Sequence, residues 1–192
     1  MIDFYEANAQ DFFARSIDAD MVSGHAEFTA MLPPGGRVLD AGCGSGRDAL
    51  ALHNQGFRVT AMEASPALAV LARDHTGLPV EVLTFDQIEW RDAFDGVWAC
   101  ASLLHVARAD LPAAIGRLGD TLVPGGVLWM SFKYGDQERD ADGRRFTDLD
   151  EALARQLVAS VGGLELLDMS VTRDVREGRA GERWISVTTR RS

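Results

Sequence analysis

Beyond residue 36 the apolar positions of this chain fall into short continuous runs separated by stretches of helical spacing. Arg37–Ala41 reads as a buried strand, Arg47–Gln55 as a helix stopped by Gly56, and Arg58–Met62 as a second strand. Ser65-Pro66 starts a further helix, serine as cap and proline in the first turn, that carries to about Asp74. Pro79–Leu83 predicts a third strand, and Phe94–Cys100 a fourth that is apolar enough to be buried on both faces. Asp110-Leu111-Pro112 opens a helix that ends before Pro124-Gly125-Gly126, and Val127–Phe132 follows as a fifth strand. Strands alternating with helices at this spacing predict an α/β fold, a mostly parallel sheet with helices on both faces.

The two ends of the chain read differently. Residues 3–32 carry Phe4, Phe12, Phe13, Ile17, Met21 and Val22 at helical spacing, which predicts one or two helices, ended by Pro33-Pro34-Gly35-Gly36. Residues 134–145 are polar, and the charge-dense Asp136–Arg145 reads as a mobile loop; Asp148–Ala159 reads as a helix. Gly163–Thr172 and Arg183–Arg190 follow as strands with no helix between them, so they are expected to pair antiparallel at the sheet edge.

Composition narrows the class. A length of 192 residues suits one domain, here an N-terminal helical part (1–32), a core (37–133) and a C-terminal part (134–192). With 46% hydrophobic and 25% charged residues, the chain has the makeup of a globular protein and not of a disordered or fibrous one. No apolar run approaches the roughly 18 residues of a membrane span, and Met1-Ile2-Asp3-Phe4 lacks the order of a secretory signal, so a cytoplasmic protein with no membrane partner is expected. Cys43 and Cys100 are the only cysteines, and His25, His53 and His75 are scattered, so neither a disulfide framework nor a metal site is expected. The net charge of −10 disfavours nucleic acid, which requires a basic surface. A monomer or a homodimer is expected.

The informative segment is Asp40-Ala41-Gly42-Cys43-Gly44-Ser45-Gly46-Arg47. A strand runs into three alternating glycines and then into a helix, and glycine there permits positive φ and close approach of a ligand to the backbone. The dinucleotide fingerprint is the looser G-x-G-x-x-G, which sets a diphosphate at the helix start. This loop is one residue tighter and carries the carboxylate of Asp40, which favours a cationic group over a diphosphate. The second strand ends in Met62-Glu63, an acid able to take both hydroxyls of a ribose. The combination points to an adenosine-type ligand at the switch point of an open sheet.

Residues 37–133 resemble a class I S-adenosylmethionine-dependent methyltransferase. Asp40–Gly46 matches that family's first motif and Glu63 its ribose acid. Phe94-Asp95-Gly96-Val97-Trp98-Ala99-Cys100 matches the fourth-strand motif, and Leu122-Val123-Pro124-Gly125-Gly126 the turn before strand five. Gly42–Asp48 and the ending Glu182–Arg190 are similar, more loosely, to the tellurite-resistance methyltransferases. The resemblance implies a Rossmann-like seven-stranded sheet and S-adenosylmethionine as cofactor. It also implies that Gly42, Cys43, Gly44 and Gly46 line the methionine part, that Asp40 faces its amino group, and that Glu63 with Ala64 holds the ribose. Cys100 and Ala101 at the end of strand four complete the cofactor contacts. Thr84 stands where many relatives carry an acid, so the adenine amine falls either to the backbone at Phe85 or to the side chain of Asp86.

Methyl transfer is a displacement at an activated carbon, so the protein mainly positions reactants and excludes water, and needs a base only for a protonated acceptor. His105, after strand four, is the candidate base, against a bland reading as a packing or capping residue. Lys133, Tyr134 and, in the next loop, Arg144 and Arg145 are candidate contacts for an anionic acceptor, against the reading of a solvated loop. Tyr5 is the expected cofactor contact of an N-terminal lid. The expected activity is methyl transfer to a small soluble acceptor. The alternatives are a non-catalytic module that binds the cofactor or its demethylated product, and a nicotinamide-dependent oxidoreductase.

Overall fold

The computed structural model describes residues 2–174 and 181–192. Five parallel strands, β1 (Arg37–Ala41), β2 (Arg58–Glu63), β3 (Val80–Val82), β4 (Phe94–Ala99) and β5 (Leu122–Lys133), form most of one sheet. A separate antiparallel hairpin follows, β6 (Glu138–Ala141) and β7 (Arg144–Thr147). β8 (Leu164–Arg173) and β9 (Arg183–Arg191) then close the sheet edge, β9 antiparallel to both β5 and β8. The order across the sheet is β3-β2-β1-β4-β5-β9-β8. The chain leaves β1 toward β3 and crosses back to β4, which opens a crevice between the carboxyl ends of β1 and β4.

Side chains alternate across the sheet and select the helices on each face. Leu39, Ala41, Val97, Ala99 and Leu128 pack with α6 (Leu111–Thr121) and α7 (Glu151–Ser160) on one side. Val38, Trp98, Val127 and Trp129 pack on the other with Phe28 of α3 (Val22–Thr29) and Leu52 of α4 (Arg47–Asn54). α5 (Pro66–Thr76) extends that face, with Ala69 and Ala72 set against Ala49 and Ala61. Trp98 and Trp129 sit in register on β4 and β5 and stack with ring centroids 3.8 Å apart. Ser65 caps α5 as its sequence predicts, accepting the Leu68 N–H at 3.2 Å. No described helix is long and apolar enough to cross a membrane.

Three expectations require correction. The N-terminal part forms three helices, α1 (Ile2–Ala7), α2 (Ala9–Ser16) and α3, because the chain turns at Asn8 and again before Met21. The stretch 134–145 is not a loop but largely the β6–β7 hairpin. Asp142 and Gly143 both adopt positive φ (52° and 73°), the requirement of a two-residue type I′ turn that Asp-Gly meets best. The flanking residues Glu138-Arg139-Asp140 carry no apolar alternation, so periodicity is blind to these strands. Strand five also begins earlier than expected, at Leu122, pairing there with Phe94 before the glycines.

Candidate active site

The crevice is floored by the loop after β1. Gly42 has φ 86°, and a Cβ on it would stand 2.5 Å from Cβ of Ser102, the residue where the chain leaves β4. Ser102 Oγ donates to the Ala41 carbonyl at 2.6 Å, locking the two strand ends together. Ala101 is held at φ 51°, with its N–H donated to Ser131 Oγ at 2.9 Å; a non-glycine residue in that region is the kind of local strain that collects at binding sites.

Two acids face this floor. Glu63 is buried and doubly tied: Oε1 accepts the Ser65 N–H and Oε2 the Gly44 N–H, each at 2.9 Å. Burial raises its pKa, against the pull of those backbone donors. Asp40 is buried on β1, and its Oδ2 has no hydrogen-bond partner among the described residues. Burial, and then the charge of Asp48 nearby, hold the Asp40 carboxyl well above the usual carboxylate range. An unpartnered buried acceptor costs about 1–3 kcal/mol, and a cationic donor delivered to it recovers that cost. These residues therefore fit an amino-acid ammonium at Asp40 and a diol at Glu63.

The other side of the floor rests on a closed network. Asp48 takes the His25 Nε2 donor at 3.0 Å, Arg47 at 2.8 and 2.7 Å, and the Trp98 indole at 3.0 Å. Burial alone would raise the Asp48 pKa; the His25 and Arg47 hydrogen bonds override it and hold the carboxylate far down. Arg47 also donates to the Ser16 carbonyl at 3.2 Å, reaching the end of α2. His25, read in the sequence only as no part of a metal site, and Arg47 and Asp48, not singled out as site residues, make this network. Among the described residues no cluster suits a metal ion.

The N-terminal helices lie across the crevice. The Phe12 ring is 3.1 Å from where a Gly44 Cβ would stand, and Tyr5 packs edge-on to Phe12 with centroids 5.0 Å apart. Glu6 accepts from Ser65 Oγ at 2.5 Å and from the Ala67 N–H at 3.0 Å, pinning α1 to the start of α5 beside Glu63. Open concavities of about 440 and 490 Å³ lie elsewhere, one near Arg37 and Phe57 and one near Glu6 and Val70; neither is lined by the glycine loop.

His105 lies in a short 3-10 turn, Leu103–His105, and does not open a helix. Its Nδ1 is 2.6 Å from the Arg145 carbonyl, which only accepts, so Nδ1 carries the proton and Nε2 presents its lone pair. The Tyr5 hydroxyl donates to that lone pair at 2.7 Å. Burial, then the Arg144 guanidinium, push the imidazole pKa down to about 4, against the Arg145 carbonyl, so the ring is neutral at physiological pH.

The acceptor candidates separate. Lys133 Nζ donates to Glu182 at 2.6 Å and lies 5.5 Å from the Phe146 ring. Tyr134 turns toward α7: its hydroxyl donates to Glu151 at 2.8 Å, and the Arg183 guanidinium covers its ring at 4.0 Å. Arg145 points outward, 3.5 Å from Asp140, and gives the site only its carbonyl. Arg144 is the arginine that faces inward, 4.4 Å over Phe4 and 5.1 Å over Phe146. The two-residue period of β7 decides this, since Arg144 and Phe146 share a face and Arg145 takes the opposite one.

The remaining cofactor candidates sit around the rim. The Cys43 side chain is buried among alanines, so only its backbone can meet a ligand. Cys100 turns to Ser131 and Arg47, and burial pushes its thiol up to about 12, which removes it as a nucleophile near neutrality. Ala64 separates Glu63 from the Ser65 cap. Thr84 caps the short turn Phe85–Gln87 and lies 2.6 Å from the exposed Asp86 carboxylate, while Phe85 packs partly into the core.

Residues 38–126 match the family model described as a methyltransferase domain. The chain is similar to a malonyl-[acyl-carrier protein] O-methyltransferase of Serratia marcescens, 34% identical over 58% of this chain and 47% of that one. It spans about half the length of the curated relatives it matches. Among solved structures it is similar to Burkholderia thailandensis 1,6-didemethyltoxoflavin-N1-methyltransferase, solved with bound 1,6-didemethyltoxoflavin and S-adenosylhomocysteine. That likeness has TM-score 0.80 and 25% identity, and covers 100% of this chain and 87% of that one. It shares its fold as well with the [4+2]-cyclase SpnF, at TM-score 0.75 and 21% identity over 98% of this chain and 94% of that one. None of these three is a tellurite-resistance methyltransferase.

Proposed function

We propose that this chain, a class I S-adenosylmethionine-dependent methyltransferase in fold with a methyltransferase domain over residues 38–126, transfers a methyl group to a small acceptor. The observation that carries the reading is the unpartnered Asp40 Oδ2, buried at the switch point beside three positive-φ glycines and one strand from Glu63. Asp40 would hold the cofactor's ammonium and Glu63 its ribose hydroxyls. The backbone of Gly42, Cys43, Gly44 and Gly46 would follow the methionine chain, with Ala64, Cys100 and Ala101 closing the sides through backbone atoms. Phe85 and Asp86 would border the adenine. A dinucleotide's diphosphate would instead meet the acids Asp40 and Glu63, which argues against a nicotinamide cofactor.

When bound, S-adenosylmethionine would supply a methyl group activated by its sulfonium centre. The protein's part is position, dryness and a proton acceptor. α1 and α2 cover the crevice, Glu6 latches them down, and the neutral Nε2 of His105 is free to take a proton once the Tyr5 hydroxyl moves off it.

The shared fold of a cyclase makes turnover a question separate from binding. Calorimetric titration with S-adenosylmethionine and S-adenosylhomocysteine, followed by donor consumption in a metabolite extract, tests both. Micromolar binding and consumption are expected. Binding without consumption leaves a cofactor-binding module, and no binding overturns the reading.

A further inference from the structure

We infer that the acceptor is a hydroxylated organic anion, its acid group gripped by Arg144 and its hydroxyl presented to Nε2 of His105, where the Tyr5 hydroxyl now sits. The inference rests on the methyltransferase reading and deepens it to a substrate class.

The first support is the state of Arg144. Its guanidinium lies between the rings of Phe4 and Phe146, its side chain is 23% exposed, and its Nε is buried with no hydrogen-bond partner among the described residues. The nearest carboxylate is Asp142 at 3.8 Å, which is 82% exposed on the hairpin turn and so a weak, solvent-screened partner. The neighbouring cations are committed: Lys133 to Glu182 and Arg139 to Asp148. A chain of net charge −10 has ample acid with which to neutralise an arginine, yet this one is held beside the candidate base with an unanswered N–H. With its other donors turned to the Tyr5 hydroxyl, the guanidinium keeps one unanswered N–H for a planar oxyanion that takes the tyrosine's place.

The second support is what occupies His105. The Arg145 carbonyl fixes the imidazole tautomer, so Nε2 must accept, and the group it accepts from is a hydroxyl. That hydroxyl belongs to α1, a six-residue helix that buries none of its side chains fully. Once the Glu6 latch on Ser65 and Ala67 releases and α1 lifts, the lone pair is open to a ligand offering the same hydroxyl. Tyr5 thus models the acceptor: a hydroxyl on the histidine lone pair, a flat ring edge-on to Phe4 and Phe12, and a guanidinium alongside.

The test measures binding rather than turnover. The purified protein, saturated with S-adenosylhomocysteine, is titrated calorimetrically with 2-, 3- and 4-hydroxybenzoate, with the matching neutral hydroxybenzamides, and with benzoate. At least one hydroxybenzoate is expected to bind tenfold or more tighter than its amide and tighter than benzoate. Arg144→Gln should erase the acid-over-amide preference without changing S-adenosylhomocysteine affinity, and Arg144→Lys should retain part of it. His105→Gln should erase the preference of hydroxybenzoate over benzoate. Equal binding of acid and amide, a preference surviving Arg144→Gln, or no probe binding to protein that binds S-adenosylhomocysteine each overturns the inference. Failure to bind S-adenosylhomocysteine overturns the methyltransferase reading instead.

Discussion

At the scale of single residues, the site is set by two acids kept under opposite constraints. Asp48 is surrounded by donors and stays ionised, whereas Asp40 is buried with a bare oxygen and its pKa is raised. An ammonium ligand binds the carboxylate form, so below the raised pKa its binding must expel a proton. Affinity for S-adenosylhomocysteine is therefore expected to climb as pH rises and to flatten once Asp40 ionises in the free protein. Glu63, also raised by burial, contributes with the same sign. Calorimetry in two buffers of different ionisation enthalpy reads the proton release directly. Asp40→Asn should abolish most of the slope, and a flat profile in the parent protein would remove Asp40 from the ligand. Glu63 does two jobs, since it holds the Gly44 N–H and would hold the ribose. Glu63→Gln should weaken cofactor binding by about 1.5–3 kcal/mol, the worth of hydrogen bonds to a charged group. An unchanged dissociation constant would show that the ribose lies elsewhere.

At the scale of elements, the segments proposed to bind the cofactor and the N-terminal helical part were legible in the sequence, and the hairpin beside His105 was not. The glycine loop, the acid after β2 and the cap at Ser65 are local in sequence, each written within a few residues by turn chemistry or spacing. The β6–β7 hairpin escaped because its strands are mostly charged and carry no hydrophobic period, although Asp142-Gly143 spells its turn. The Tyr5–His105 contact joins residues 100 positions apart, and no local pattern encodes such a pair. Arg144 faces inward and Arg145 outward only because the stretch is a strand, a difference that its reading as a loop cannot draw between two neighbouring candidates. The helical cover must lift for a ligand to reach Gly44 under Phe12. Hydrogen exchange should accordingly find residues 2–16 poorly protected in the free protein and slowed severalfold by S-adenosylhomocysteine. Glu6→Gln, which weakens the latch on Ser65 and Ala67, should raise exchange in α1. Protection already maximal without ligand would mean the cover does not open.

At the scale of the whole molecule, the covering helices and the cofactor floor share one polar anchor. Asp48 sits at the start of α4, directly after the glycine loop, and its two oxygens take four donors from α3, α4 and β4. Arg47, fixed by the same carboxylate, reaches the last turn of α2 through the Ser16 carbonyl. Removing the carboxylate strands a buried guanidinium and an indole donor at once, and breaking a buried pair from one side costs about 3–5 kcal/mol. Asp48→Ala should therefore lower unfolding stability in denaturant by that amount, with the loss appearing as a lower midpoint at similar slope if the fold is kept. Asp48→Asn keeps the shape but not the charge and should lose less. Because the Asp48 charge is among the causes that raise Asp40, either variant should also shift the pH profile of cofactor binding to lower pH. A structural role alone would lower stability and leave that profile in place. A stability loss below about 1 kcal/mol would show that α3 and the sheet hold together through Phe28, Trp98 and Trp129 without the network.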